Sequence, residues 1–337
     1  MTGNRPFALT RRALSLSALG LAAAPLLARA QAQPADPLPS WRDGPRKQAL
    51  RDFVGAVTRE GGPDFVPPES RIATFDNDGT LWVEQPVYTQ VLFIMDRMKA
   101  LAAQHPDWTH DPVFRAAVAG DLRGVAAGGV HGIMRLAGAA QAGNTPEEFG
   151  SVAADWLATA RDSRWQRPYT QLVYQPMLEV LAFLKASGFT CFIVTGGGVE
   201  FVRAFSQATY GIPPWRVVGS TFALKPGERD GRVVLTREPS VDFVDDGPGK
   251  PVGIARQIGQ RPIAAFGNSD GDFQMLQYAT EGSGKRLGMI VHHDDAEREY
   301  AYDRESQIGH LARAMDEAPR RGWQLISMKQ DWARIFP

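Results

Sequence analysis

Residues 71–80 read Arg71-Ile72-Ala73-Thr74-Phe75-Asp76-Asn77-Asp78-Gly79-Thr80. A short apolar run stops at two carboxylates one residue apart, and a glycine follows. The run has the length and residue types of a buried strand, and Asp-Gly ends it as a turn would. Two other stretches repeat this form. Cys191-Phe192-Ile193-Val194 leads into Thr195-Gly196-Gly197-Gly198, and Pro262–Phe266 leads into Gly267-Asn268-Ser269-Asp270-Gly271-Asp272. Further strands are expected at Val217–Phe222, followed by a hairpin near Asp230-Gly231, and at Leu287–Val291. Helical patterns run between them, at Gln48–Arg59 and from Gln175 to Lys185. Short apolar strands alternating with helices predict an α/β chain with a parallel sheet. In open parallel sheets ligands bind beyond the carboxyl ends of the strands, so the three polar clusters converge there although far apart in sequence.

Between the first two strands the pattern changes. Val87, Val91, Leu92, Ile94, Met95, Met98 and Leu101 recur at helical spacing, and Ala/Gly-rich helical stretches follow. Residues 86–170 are therefore expected to be a helical insertion, a cap on a core built from residues 31–85 and 171–337. Residues 31–44, rich in Pro, Asp and Ser, read as a linker.

The chain begins differently. Its first 30 residues hold Arg5, Arg11, Arg12 and Arg29 and no acid, with the apolar stretch 13–28 ahead of Ala28-Arg29-Ala30. A basic start, an apolar middle and a small-x-small site form an export signal, and the paired arginines suit the twin-arginine route. The apolar stretch is shorter than the ~20 residues of a membrane span. A cleaved, periplasmic or secreted protein without stable membrane association is expected. The remaining 33 basic and 37 acidic residues give −4, which offers no footprint for nucleic acid. Cys191 is the only cysteine, which excludes an intramolecular disulfide and fits a thiol buried in a strand.

The polar clusters supply the chemistry. On a strand, Asp76 and Asp78 point to the same side. Carboxylates so close repel unless a cation stands between them, and Mg²⁺ suits a few oxygen ligands with retained waters. Thr195 and the Gly196 and Gly197 amides are candidate donors to phosphate oxygens. Asn268, Asp270 and Asp272 offer further oxygens.

These motifs, in order, resemble the haloacid dehalogenase superfamily of phosphohydrolases. Asp76-Asn77-Asp78-Gly79-Thr80 matches its first motif, Asp-x-Asp-x-Thr. Ile193-Val194-Thr195-Gly196-Gly197 matches the second, Lys250 in Gly249-Lys250-Pro251-Val252 the third, and Gly267–Asp272 the acidic fourth. The likeness spans about residues 70–295, is nearest to the phosphoserine-phosphatase-like branch with a helical cap, and implies a Rossmann-like parallel sheet flanked by helices. It also implies a mechanism. Asp76 is the nucleophile that forms an aspartyl-phosphate, and Asp78 is the acid and base. Thr195, Gly196, Gly197 and Lys250 hold the phosphoryl group, and Mg²⁺ is bound by Asp76, Asp78, Asn268 and Asp272, the last of which binds a metal water or holds the lysine. The substrate is a small phosphorylated metabolite. Asp78 speaks against dehalogenation, since dehalogenases of the superfamily lack that second Asp.

Asn268 stands where the family usually carries Asp, which removes one negative charge and leaves Asp270 as a substitute ligand. It favours a second reading, a phosphate-ester-binding protein with impaired catalysis; a third, separate reading is a phosphotransferase to an alcohol acceptor. Glu84, eight residues after Asp76, is either a substrate-contacting acid, as the resemblance implies, or a helix-start carboxylate. Lys225 is the rival to Lys250. His292 and His293 offer metal ligands, but adjacent strand residues face opposite ways and cannot both serve one ion.

Overall fold

The structure is a computed structural model that describes residues 36–337. The expected export segment lies outside the described residues, as do residues 31–35. Among the described residues, eight strands form one sheet: β1 (Ile72–Phe75), β2 (Thr190–Gly198), β3 (Val217–Arg229), β4 (Arg232–Phe243), β5 (Ala264–Gly267), β6 (Leu287–Asp294), β7 (Ala301–Tyr302) and β8 (Gln324–Ser327). Their order is β4-β3-β2-β1-β5-β6-β7, with β8 also on β6. The pairs β1–β2, β1–β5, β2–β3, β5–β6 and β6–β8 are parallel, whereas β3–β4 and β6–β7 are antiparallel.

Local chemistry accounts for the centre of this sheet. All four residues of β1 are buried, as a strand flanked on both edges and covered on both faces requires. Phe75 and Phe266 stack across β1 and β5 with centroids 4.4 Å apart. The Asp76 amide then donates to the Phe266 carbonyl at 2.9 Å, so the nucleophile candidate sits on the last ladder bond. Cys191 is buried in β2, and burial raises its thiol pKa to about 12.

No strand lies between β1 and β2. Helices occupy Thr89–Leu101, Pro112–Ala119, Leu122–Ala127, Gly129–Gln141, Pro146–Thr159 and Gln175–Ala186 there. Two of these starts have a clear local cause: Asp111 accepts from the Val113 and Phe114 amides, and Thr145 and Glu148 form a capping box around Pro146. The β3–β4 hairpin reaches back to these helices. The Gly143 amide donates to the Arg237 carbonyl, and the Arg237 amide to that of Asn144. Among the described residues no helix is long and apolar enough to cross a membrane.

Two expectations change. The described part of the expected linker is packed: Leu38 and Trp41 are buried, and Trp41 meets Trp332 edge-to-face at 6.1 Å. Proline and aspartate mark an irregular backbone there, but Trp41 and two backbone hydrogen bonds, Arg42 to Asp331 and Ala333 to Ser40, pin it to the C-terminal residues. The strand β8 was not expected, because Gln324-Leu325-Ile326-Ser327 is too short to show a period and is held by its register on β6.

Candidate active site

Asp76, Asp78, Gly196, Gly197 and Lys250 line one cavity of about 190 Å³ at the carboxyl ends of β1 and β2. The Lys250 ammonium, buried at the start of the helix Gly249–Gln257, donates to Asp76 Oδ1 at 2.6 Å, Asp272 Oδ1 at 2.6 Å and the Val194 carbonyl at 3.0 Å. Burial opposes the charge of Lys250, but the carboxylates of Asp272 and Asp76 outweigh it and its pKa is raised. Burial, then the Asp272 charge, lifts Asp76 well above the usual carboxylate range, against the pull of Lys250. Lys225, the rival, lies on the exposed outer part of β3.

Asp78 is held by a tryptophan. The Trp82 indole donates to Asp78 Oδ1 at 2.8 Å, and that ring is fully buried, stacked on Phe205 at 4.5 Å. Burial raises the Asp78 pKa, and the indole bond works against it. The loop between them is tied by the Asn77 carbonyl, which accepts from the Thr80, Leu81 and Trp82 amides. Gly79 takes φ +76°, and a Cβ there would fall 2.1 Å from Asn268 Nδ2 and 2.4 Å from Glu84 Oε1, so only glycine fits.

Three candidates stand behind the cavity wall. Thr195 is fully buried, and its Oγ1 accepts from the Gly197 amide at 3.1 Å. The Gly198 amide is taken by Gln90 Oε1 at 2.8 Å, so a helix of the β1–β2 insertion closes on the glycine run. Asp272 is also buried. One of its oxygens takes Lys250, and the other takes the Asn268 and Ser269 amides and the Ser269 hydroxyl. It holds the lysine and has no oxygen free of protein donors, unlike the expected metal ligand. Asn268 Oδ1 accepts from the Thr80 hydroxyl at 3.0 Å, and its Nδ2 donates to Glu84 Oε1 at 2.7 Å.

The substitute ligand Asp270 is spent elsewhere, accepting from the Ala312, Arg313 and Ala314 amides at the start of a helix. The histidines face opposite ways. His292 reaches Asp303 at 3.2 Å, whereas buried His293 contacts Glu299 at 3.2 Å and the Gly79 carbonyl at 2.8 Å. Burial opposes the charge of His293, but the hydrogen bond and charge of Glu299 raise its pKa. His293 thus braces the first-motif loop.

Of the two readings of Glu84, the helix-start carboxylate does not hold, since the next helix begins at Thr89. Glu84 lines the cavity, is buried, and accepts from Asn268 and from the Tyr302 hydroxyl at 2.8 Å. Burial raises its pKa to about 7. Asp246 also lines the cavity, and its neighbour Asp245 is fully buried with both oxygens lacking a hydrogen-bond partner. Burial raises the Asp245 pKa to about 8. The acidic pair next to Lys250 was the available signal.

The donor set fits a hard divalent cation. The cavity presents the carboxylates of Asp76, Asp78, Glu84 and Asp246 against one lysine, with oxygen donors and no thiolate. Among the described residues no three His, Cys, Asp or Glu side chains form a cage. A cation here would rest on few protein ligands and keep waters, which is the habit of Mg²⁺.

An α/β sheet with acidic strand ends around a buried lysine defines a class of strand-end catalytic sites. The model for haloacid dehalogenase-like hydrolases matches residues 73–277, and the chain belongs to that family. No curated protein matches the sequence. A conserved protein of unknown function from Anaerococcus prevotii DSM 20548 shares the fold with TM-score 0.52 at 15% identity, over 74% of this chain and 86% of that one. A protein of unknown function from Bordetella pertussis Tohama I gives TM-score 0.46 at 16% identity, over 76% and 98%. A phosphoserine phosphohydrolase-like protein from Francisella tularensis subsp. tularensis SCHU S4 gives 0.38 at 16%, over 74% and 98%.

Proposed function

We propose that this hydrolase cleaves small phosphomonoesters in two steps. The observation that carries the reading is the Lys250 ammonium shared by Asp76 and Asp272 on the floor of a cavity that Asp78 also lines. In the first step an Asp76 carboxylate oxygen attacks phosphorus, the ester P–O bond breaks, and Asp78 gives its proton to the leaving alcohol. In the second step Asp78 takes a proton from water, the water oxygen attacks the aspartyl-phosphate, and phosphate leaves with Asp76 restored. The raised pKa of Asp78 suits a group that holds a proton until the alkoxide departs. Lys250 would neutralise charge on the phosphoryl oxygens and the Gly196 amide would assist it, whereas Thr195, expected to touch the phosphoryl group, stands behind the wall and its hydroxyl takes up the Gly197 amide that was also expected to donate.

Asp76 and Asp78, which line the cavity, would hold Mg²⁺, whereas Asn268, also expected as a ligand, stands behind the wall with its side chain engaged by Thr80 and Glu84. Bound there, the ion would supply electrostatic stabilisation of the phosphoryl oxygens. The basic start, apolar stretch and Ala28-Arg29-Ala30 site support export, so the enzyme would act in the periplasm or outside the cell. Mass measurement of the protein recovered from the periplasm tests this, with a start near residue 31 expected.

Product analysis with a small ester and an added alcohol tests the reaction type. Free phosphate as the product supports hydrolysis. A phosphorylated acceptor as the main product contradicts it and favours phosphotransfer.

A further inference from the structure

The floor and the roof of the cavity differ in chemistry. Among the described residues its charged side chains, Asp76, Asp78, Glu84, Asp246 and Lys250, lie on the loops at the strand ends, the turn before the lysine helix or the first turn of that helix. The opposite wall is Val91 and Ile94 of the helix Thr89–Leu101, with Val130, Ile133, Met134 and Ala137 of the helix Gly129–Gln141. Phe222 and Val244 complete it from the hairpin side. The polar residues that remain, Tyr88, Gln90, Ser220 and Ser269, carry no charge at neutral pH, and Gln90 Oε1 is already engaged by the Gly198 amide.

Resting on the phosphatase reading, we propose that the substrates are monoesters of compact, uncharged, apolar alcohols. A phosphoryl group seated at Asp76 directs its alcohol toward the aliphatic wall. Among the described residues lining the cavity Lys250 is the only cation, and Asp76 and Asp272 already share it. A carboxylate or second phosphate on the alcohol would therefore be desolvated against Ile94, Ile133 and Met134 with no partner, and so would an ammonium carried to that wall and away from the carboxylates of the floor, which is strongly unfavourable. An apolar group at the same place gains about 25 cal/mol per Å² buried. A cavity of about 150 Å³ takes benzene, and this one, at about 190 Å³, suits a compact alcohol. Val130, 71% exposed, marks the rim, where a longer chain would meet water.

The test compares kcat/KM for phenyl phosphate and butyl phosphate with that for phosphoserine and phosphocholine, using the chain without residues 1–30 and with Mg²⁺. The apolar esters are expected to lead by about tenfold or more. Phosphoserine or phosphocholine turned over as well or better overturns the proposal while leaving the phosphatase reading intact. Ile133→Lys should lower turnover of phenyl phosphate about tenfold and narrow its lead over phosphoserine, whereas Ile133→Leu should preserve both. An unchanged ratio in Ile133→Lys also overturns it. Calorimetry with benzylphosphonate and the phosphonate isostere of phosphoserine keeps the two readings apart. If no ester is cleaved the phosphatase reading fails, yet tighter binding of benzylphosphonate still supports an apolar-ester site. Equal or weaker binding of benzylphosphonate removes it.

Discussion

The side-chain amide of Asn268 donates to Glu84 Oε1 at 2.7 Å, directly behind the glycine of the first motif. An aspartate at this position would set two buried carboxylates at hydrogen-bond distance. The asparagine thus removes one charge and fixes the orientation of another, since Glu84 faces the cavity and Asn268 does not. Asn268→Asp should lower stability by about 1–3 kcal/mol in chelator, because Glu84 loses a donor and gains a like charge. Mg²⁺ should restore part of the loss. Urea unfolding with chelator and with Mg²⁺ checks this, and equal stability of the variant in chelator would contradict it.

Lys250 is the hub of the buried charges. Lys250→Met leaves Asp76 and Asp272 facing one another without the shared ammonium. Breaking a buried pair by removing one partner costs about 3–5 kcal/mol. The loss should be smaller in Lys250→Met/Asp272→Asn, which removes one of the stranded carboxylates. Denaturant unfolding of both variants measures the difference.

Asp245 makes stability depend on pH. Its folded pKa of about 8 lies above the ordinary aspartate value, so the folded state holds a proton that the unfolded chain has released. The associated stability is fully present below about pH 4 and is lost as pH rises toward about 8. Asp245→Asn should flatten that fall, because its uncharged amide does not titrate. Melting temperatures from pH 5 to 9 compare the slopes.

Trp82 acts on the proton of Asp78. Its indole bond holds the Asp78 pKa below the level that burial alone would set. Trp82→Phe keeps most of the stacking on Phe205 and removes the donor. The alkaline limb of the kcat profile should move to higher pH, since Asp78 must be protonated to release the alcohol. An unshifted limb with reduced rate would assign Trp82 to packing alone.

Much of the site was readable because its chemistry is local. Asp76 and Asp78 follow β1 directly, and Lys250 starts a helix as its motif requires. What escaped reading depends on contacts between distant segments. Trp82 is packed on Phe205, but its indole nitrogen also reaches Asp78, four residues back across a loop. Glu84 gains its role from Asn268 and Tyr302, which lie 184 and 218 residues away. Gly309 lies close enough that a Cβ there would fall 2.0 Å from Glu84 Oε1, and nothing in its surroundings in sequence signals this. His293 offers a ligand nitrogen in sequence, and in the fold it supports the Gly79 carbonyl, with both ring nitrogens engaged. The buried Trp41–Trp332 pair shows the same limit at the chain ends: composition reads a linker, and tertiary packing overrides it.

Phosphate release from phenyl phosphate, with Mg²⁺ and with chelator, in the native chain and in Asp76→Asn tests the central claim most directly. The account predicts release that requires Mg²⁺ and falls by at least about a thousandfold in Asp76→Asn. Release that is unchanged in Asp76→Asn would contradict it, because no other residue is assigned to attack phosphorus.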